Sequence, residues 1–324
     1  MKDLAACVVL VTPRSFGRSD PDMRAELERA VGTVRYNTRG RPLHADELRA
    51  EIADVDGLIA GLDEIDATVF AAAPHLRVVC RYGVGTSNVD LAAAATQRVV
   101  VTNTPSANAD SVAELTVGFM FALARALPQA VRASYDGRWS SMEGTQIAGK
   151  TVSLLGFGRI GQAVAWRARA LGCTVLANDP GVTEEFVTAQ GVRMVSRDEA
   201  IGTADFLSLH LPVTPETRDL VNRELLSKLP SRAFLINTAR GELVVEEDLV
   251  AALEAGCLRG AALDVLRQEP PPADHQLLRR ADVLITPHVG AHTAEATTAM
   301  GRMAMHDLLA VLAGETARFP VNTP

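Results

Sequence analysis

Six residues, Gly156-Phe157-Gly158-Arg159-Ile160-Gly161, have the glycine spacing that lets a backbone wrap a pyrophosphate. Gly156 permits a tight turn, Gly158 lets N–H groups approach an anion, and Gly161 lets a helix pack on the preceding strand. Arg159 and Ile160 stand at the start of that helix, whose unpaired N–H groups and partial positive charge face the anion. Asp179 lies 18 residues beyond Gly161, close to the roughly 20 expected for a carboxylate that accepts from a ribose hydroxyl. A carboxylate there repels a 2′-phosphate, and no arginine follows directly in Asp179-Pro180-Gly181-Val182. The expected cofactor is therefore NAD rather than NADP.

Three more charged residues sit just beyond apolar runs. Arg240 follows Phe234-Leu235-Ile236-Asn237-Thr238-Ala239, Glu269 lies in Leu266-Arg267-Gln268-Glu269-Pro270-Pro271, and His288 follows Val283-Leu284-Ile285-Thr286-Pro287. In open α/β sheets, ligands bind outside the carboxyl ends of the strands. All three are thus candidates for one crevice. Taken singly, Arg240 also fits a surface ion pair, Glu269 a loop acid and His288 a turn residue.

The elements that must position these residues can be read from the apolar pattern. Residues 151–155 predict a buried strand before the glycine turn, a helix follows it, and 174–177 predict the next strand. Further strands are expected at 206–209, 233–237, 260–265 and 283–286, with helices at 225–229 and 248–255. The first hundred residues repeat the rhythm, with strands at 6–11, 57–60, 76–80 and 99–102 and helices at 23–31, 45–53 and 66–73. Long helices are expected at 111–127 and 293–312. Strands alternating with helices predict parallel sheets. The expected fold is α/β, two doubly wound, Rossmann-like domains with the active site in the cleft between them. Residues 1–103 plus 290–324 would form a substrate (catalytic) domain and 104–289 the NAD-binding domain.

Composition narrows the function classes. Of 324 residues, 48% are hydrophobic, which argues for a substantial core and against disorder. The apolar runs are far shorter than a membrane span, and no signal-peptide pattern stands at the N-terminus. A net charge of −7 disfavours a nucleic-acid partner. Cys7, Cys80, Cys173 and Cys257 are too scattered for a metal site or a disulfide framework, so reduced thiols in the cytoplasm are expected.

Taken together, the motifs resemble the D-isomer-specific 2-hydroxyacid dehydrogenases, and within them the phosphoglycerate dehydrogenase-like branch. The resemblance rests on Arg81-Tyr82-Gly83-Val84-Gly85-Thr86-Ser87-Asn88-Val89-Asp90, Asn103-Thr104-Pro105, the glycine turn, Leu209-His210-Leu211-Pro212, Asn237-Thr238-Ala239-Arg240-Gly241, Ala262-Leu263-Asp264-Val265, Glu269-Pro270-Pro271 and Pro287-His288-Val289-Gly290. It implies a small 2-hydroxyacid or 2-ketoacid substrate. His288 would be the acid in reduction and the base in oxidation, and Glu269 would hydrogen-bond it. Arg240 would hold the substrate carboxylate and polarise the C2 carbonyl. Gly83 and Val84 would offer backbone N–H groups to the carboxylate, with Arg81 a cation beside them and Asn108 a polar neighbour. Asp264 would face the nicotinamide end of the cofactor, while Leu211, Pro212, Thr217 and Thr238 would line its path. A homodimer through the nucleotide domain is also implied, with the apolar helix near 112–127 as a candidate face.

The chain departs from that pattern in one loop. Human-like phosphoglycerate dehydrogenases carry an Arg-Ser pair after the third strand, where this chain reads Ile59-Ala60-Gly61-Leu62-Asp63. That argues against 3-phosphoglycerate itself. Arg14 and Arg18, after the first strand, are the alternative cations for a second anionic group such as a phosphate, phosphonate or carboxylate. The chain ends soon after the last helix, so no appended regulatory domain is expected. Two rival readings remain: a formate- or phosphite-type NAD dehydrogenase, and a dinucleotide-sensing, corepressor-like binding protein.

Overall fold

Twelve short segments form strands in the computed structural model, which describes residues 3–139 and 141–323. They fall into two sheets, one in each of two units. One unit takes in the chain up to Asn108 and again from Ala291 onward; the other is Ala109–Gly290.

The first unit holds β1 (Val8–Val11), β2 (Thr33–Tyr36), β3 (Gly57–Ala60), β4 (Val78–Arg81) and β5 (Val100–Thr102), ordered β2-β1-β3-β4-β5 and paired in parallel. Side chains alternate across the sheet. Val9, Val11, Ile59 and Cys80 pack with Met23, Leu27, Met300 and Leu308 on one face. Leu10, Leu58, Ala60 and Val79 pack with Leu48, Ile52 and Phe70 on the other. Both faces are covered, which is why β1, β3, β4 and β5 read as continuous apolar runs. The Ala294–Leu312 helix starts at Thr293, whose hydroxyl accepts from Ala296 N–H, and returns to this sheet as expected.

The second unit adds β6 (Thr151–Leu155), β7 (Thr174–Asn178), β8 (Arg193–Met194), β9 (Phe206–Leu209), β10 (Phe234–Asn237), β11 (Gly260–Leu263) and β12 (Val283–Ile285). Their order is β12-β11-β10-β9-β6-β7-β8, again parallel. The winding direction reverses between β6 and β9, the switch point where such sheets open a crevice.

Three expectations need correction. The boundaries fall at 108/109 and 290/291 rather than 103/104 and 289/290. Thr104 N–H donates to Gly83 O at 3.0 Å, which keeps the segment after β5 with the first unit. The expected 111–127 helix is two helices, Ala109–Ala124 and Leu127–Tyr135, bent by 62°. Ala126 takes the left-handed conformation (φ 46°), and Pro128 follows near the new N-terminus. Finally, β2 and β8 were not anticipated. Both are edge strands with exposed or half-buried side chains, so neither shows an apolar run. Among the described residues, no single helix is long and apolar enough to cross a membrane.

Candidate active site

The glycine turn stands at the switch point of the second sheet. Gly156 has φ +98°, and a Cβ there would lie 2.3 Å from His210 O, just past β9. A Cβ on Gly161 would meet Gly156 O at 2.4 Å, whereas Gly158 faces open space. Two glycines therefore serve close packing, and the third leaves room for a ligand. Gly158 caps the Arg159–Ala170 helix without a side-chain bond, so its first N–H groups stay available to an anion. Asp179 stands one residue past β7. Its Oδ2 accepts from Phe157 N–H at 2.7 Å and its Oδ1 from Gly181 N–H at 2.8 Å. The carboxylate is thereby pinned at the edge of the turn and keeps lone pairs for ribose hydroxyls. These features fit a dinucleotide.

The structure brings Glu269 and His288 together. His288 Nδ1 lies 2.7 Å from Glu269 Oε2, and both side chains are partly exposed. Glu269 Oε1 accepts from Leu266 N–H at 3.0 Å, so the carboxylate is fixed from both sides. His288 has φ +52°, a left-handed conformation that costs a non-glycine residue about 1–2 kcal/mol. Asp264 offsets that cost. Its backbone carbonyl accepts from His288 N–H, and its buried carboxylate accepts from Val289 N–H, Gly290 N–H and the Thr286 hydroxyl. Asp264 thus clamps the turn that presents His288.

Arg240 follows β10, and the residues around it are held by Asn237. Asn237 Nδ2 donates to Arg240 O at 2.8 Å, and Ala239 N–H donates to Asn237 Oδ1 at 3.0 Å. The half-buried Arg240 guanidinium donates to Ala239 O at 2.6 Å and, among the described residues, has no carboxylate partner. Burial pulls it below its ordinary range, while the charges of Glu242 and Glu269 oppose that shift. A guanidinium remains charged through such a change, so the cation lacks a close counter-ion.

The remaining cofactor-side candidates are more occupied than their sequence positions suggested. Thr217 Oγ1 donates to Pro212 O and accepts from Thr214 N–H, which ties off the loop after Leu211. Thr238 is buried, and its hydroxyl meets Thr116 Oγ1 at 3.0 Å; Thr116 in turn donates to Val112 O. Both hydroxyls serve the local framework. Thr116 had no signal in the sequence beyond a polar residue on an apolar helix.

In the first unit, Arg81 is 5% exposed. It lies under the loop it begins: Nη1 bonds Tyr82 O, Nε bonds Asn88 Oδ1, and a Cβ on Gly83 would strike the guanidinium. Gly83 N–H is spent on Arg81 O at 2.9 Å. Of the two expected donors, Gly83 N–H is therefore occupied, whereas Val84 N–H has no acceptor among the described residues. Asn108 Oδ1 is buried without a partner. Arg14 is exposed, with Nη1 on Gly40 O at 2.9 Å, and Arg18 is exposed as well.

Residues 117–290 match the family model described as D-isomer specific 2-hydroxyacid dehydrogenase, NAD binding domain. The chain belongs to that family. Its second unit carries the family's NAD-binding domain. The chain is 40% identical over 298 residues to a D-3-phosphoglycerate dehydrogenase of Methanocaldococcus jannaschii, a match covering 91% of this chain and 56% of that one. It is 37% identical over 304 residues to a glyoxylate reductase of Thermofilum pendens, covering 91% and 90%. The crystal structure of a Thermus thermophilus protein superposes with a TM-score of 0.87 at 38% identity, covering 97% and 99%. The chain spans about half the length of the phosphoglycerate dehydrogenases it matches.

This geometry can bind a dinucleotide, attract a carboxylate and move a proton. Asn237 and Gly241 were visible only as parts of a motif. Their contacts are what hold Arg240 in place.

Proposed function

We propose that this protein interconverts a small D-2-hydroxyacid and its 2-ketoacid with NAD(H). The observation that carries the reading is the Glu269–His288 bond in the same unit as an Arg240 that lacks an anion. When bound, NAD(H) supplies or accepts the hydride at C2. Arg240 binds the substrate carboxylate with its planar fork and polarises the C2 carbonyl. Glu269 holds His288 Nδ1–H, which fixes the ring and leaves Nε2 as the atom that exchanges a proton with substrate. That proton goes to the C2 oxygen in reduction and returns from it in oxidation.

The glyoxylate reductase matched over nearly its whole length supports a small ketoacid substrate. The loop after β3 offers no cation at Ala60, and Arg14 is the cation for any second anionic group. A homodimer is supported by the exposed apolar side chains of Phe121, Leu127, Val131, Tyr135 and Trp139. Thiols rather than disulfides at Cys80, Cys173 and Cys257 support a cytoplasmic site of action. The test is a spectrophotometric NADH assay across ketoacids with and without a second anion. Turnover with at least one of them is expected; no turnover across the panel overturns the reading.

A further inference from the structure

A second histidine–glutamate pair is joined to the first through one loop. Glu246 opens the Glu246–Glu254 helix and is 8% exposed. Its Oε2 meets His275 Nε2 at 2.9 Å, and its Oε1 accepts from Arg267 N–H at 2.7 Å. His275 Nδ1 is buried with no partner, which places the ring hydrogen on Nε2, facing the carboxylate. A carboxylate this buried needs such donors. What matters is where they come from. Arg267 N–H is next in the chain to Leu266 N–H, and that group donates to Glu269 Oε1 at 3.0 Å. Two consecutive amides of one loop are therefore taken by two different carboxylates. One of those carboxylates, Glu269, holds His288 with its other oxygen. Arg267 Nε also donates to Val244 O at 2.7 Å, so the loop is fastened to the same helix entry twice.

The geometry points to Glu246 and His275 as positioning residues for the acid–base pair. Glu246 sets the direction of the Leu266–Arg267 backbone, and that backbone sets the Glu269 carboxylate against His288. His275 sets Glu246. Neither residue touches the reacting atoms. The inference rests on the proposed dehydrogenase reading for its kinetic consequence, while its structural consequence can be read without turnover.

The experiment combines a double-mutant cycle with proton NMR of the full chain. Glu246→Ala should lower kcat for glyoxylate reduction roughly tenfold, because small misplacements at a reacting centre are costly. In a Glu269→Ala background the same change should cost less than about twofold, since an effect carried by Glu269 is not additive with its loss. Glu246→Gln, which keeps an acceptor for Arg267 N–H, should retain more activity than Glu246→Ala. NADH affinity by fluorescence should stay within about twofold of wild type, because the glycine turn is untouched. The hydrogen-bonded Nδ1 proton of His288, assigned by its loss in Glu269→Ala, should shift or broaden in Glu246→Ala. Equal losses in both backgrounds would make Glu246 a merely structural residue. An unchanged Nδ1 signal overturns the proposal whatever the kinetics show. If wild type turns over no ketoacid, the dehydrogenase reading fails, and the NMR signal still decides the positioning claim.

Discussion

Gly241 lies against Leu266 so closely that a Cβ on it would fall 2.1 Å from the Leu266 carbonyl carbon and 2.5 Å from Arg267 N. The turn that carries Arg240 and the loop that carries Glu269 thus meet backbone to backbone. Arg240 and Glu269 are linked through one backbone contact, and only glycine permits it.

Gly241→Ala should therefore damage both. The clash is with backbone, which has little room to yield, so a stability loss of about 1–3 kcal/mol is expected. A fall in kcat should accompany it. Thermal melts and steady-state kinetics check this; wild-type values for both would mean the two loops are easily separated.

Asp179 ties the glycine turn through Phe157 and presents its carboxylate at the end of β7. Asp179→Ala should reduce the NADH-over-NADPH preference in kcat/KM by roughly one to two orders of magnitude, as both ribose acceptance and phosphate repulsion disappear. An unmoved ratio would show that another residue selects the cofactor.

His210 sits beside the glycine turn, with Nε2 2.9 Å from Ser208 Oγ. Burial pushes its pKa down from 6.5 to about 4. Between these values the unfolded chain binds a proton that the folded protein refuses. The stability due to neutral His210 is complete above pH 6.5 and drains away as pH falls toward 4. Urea unfolding at both ends of that window should show wild type losing roughly 2–3 kcal/mol more than His210→Gln. Equal losses in the two proteins would refute the assignment.

Arg14 projects from the loop after β1, with one guanidinium nitrogen on Gly40 O. If it meets a second substrate anion, Arg14→Ala should cost about 1.5–3 kcal/mol in kcat/KM with ketoacids that carry one. Glyoxylate and pyruvate should be turned over as by wild type. A loss shared by both substrate kinds would assign Arg14 to loop structure instead.

What could be read from the chain alone follows from how each feature is encoded. Strands β6, β9, β10 and β11 are covered on both faces, so their burial is written as continuous apolar runs. Strand β2, Thr-Val-Arg-Tyr at a sheet edge, has no such imprint. The break at Ala126 was signalled only by Pro128, a residue tolerated in a first helical turn and hence easy to read through. His288, Glu269 and Arg240 were legible because each stands just past a strand end. The bonds that hold them were not. Glu246 meets Arg267 across 21 residues and His275 across 29, and Asp264 reaches Gly290 across 26. Such pairings exist only once the strands are laid side by side. The same applies to Gly83, whose N–H is used up by a turn that the sequence pattern cannot show.

The central claim is that His288 moves the substrate proton. The most direct measurement is the single-turnover rate of ketoacid reduction by the NADH-loaded enzyme, wild type against His288→Ala. A fall of about two to four orders of magnitude is expected, with NADH affinity unchanged because the glycine turn and Asp179 are intact. Near-wild-type reduction by the variant would contradict it.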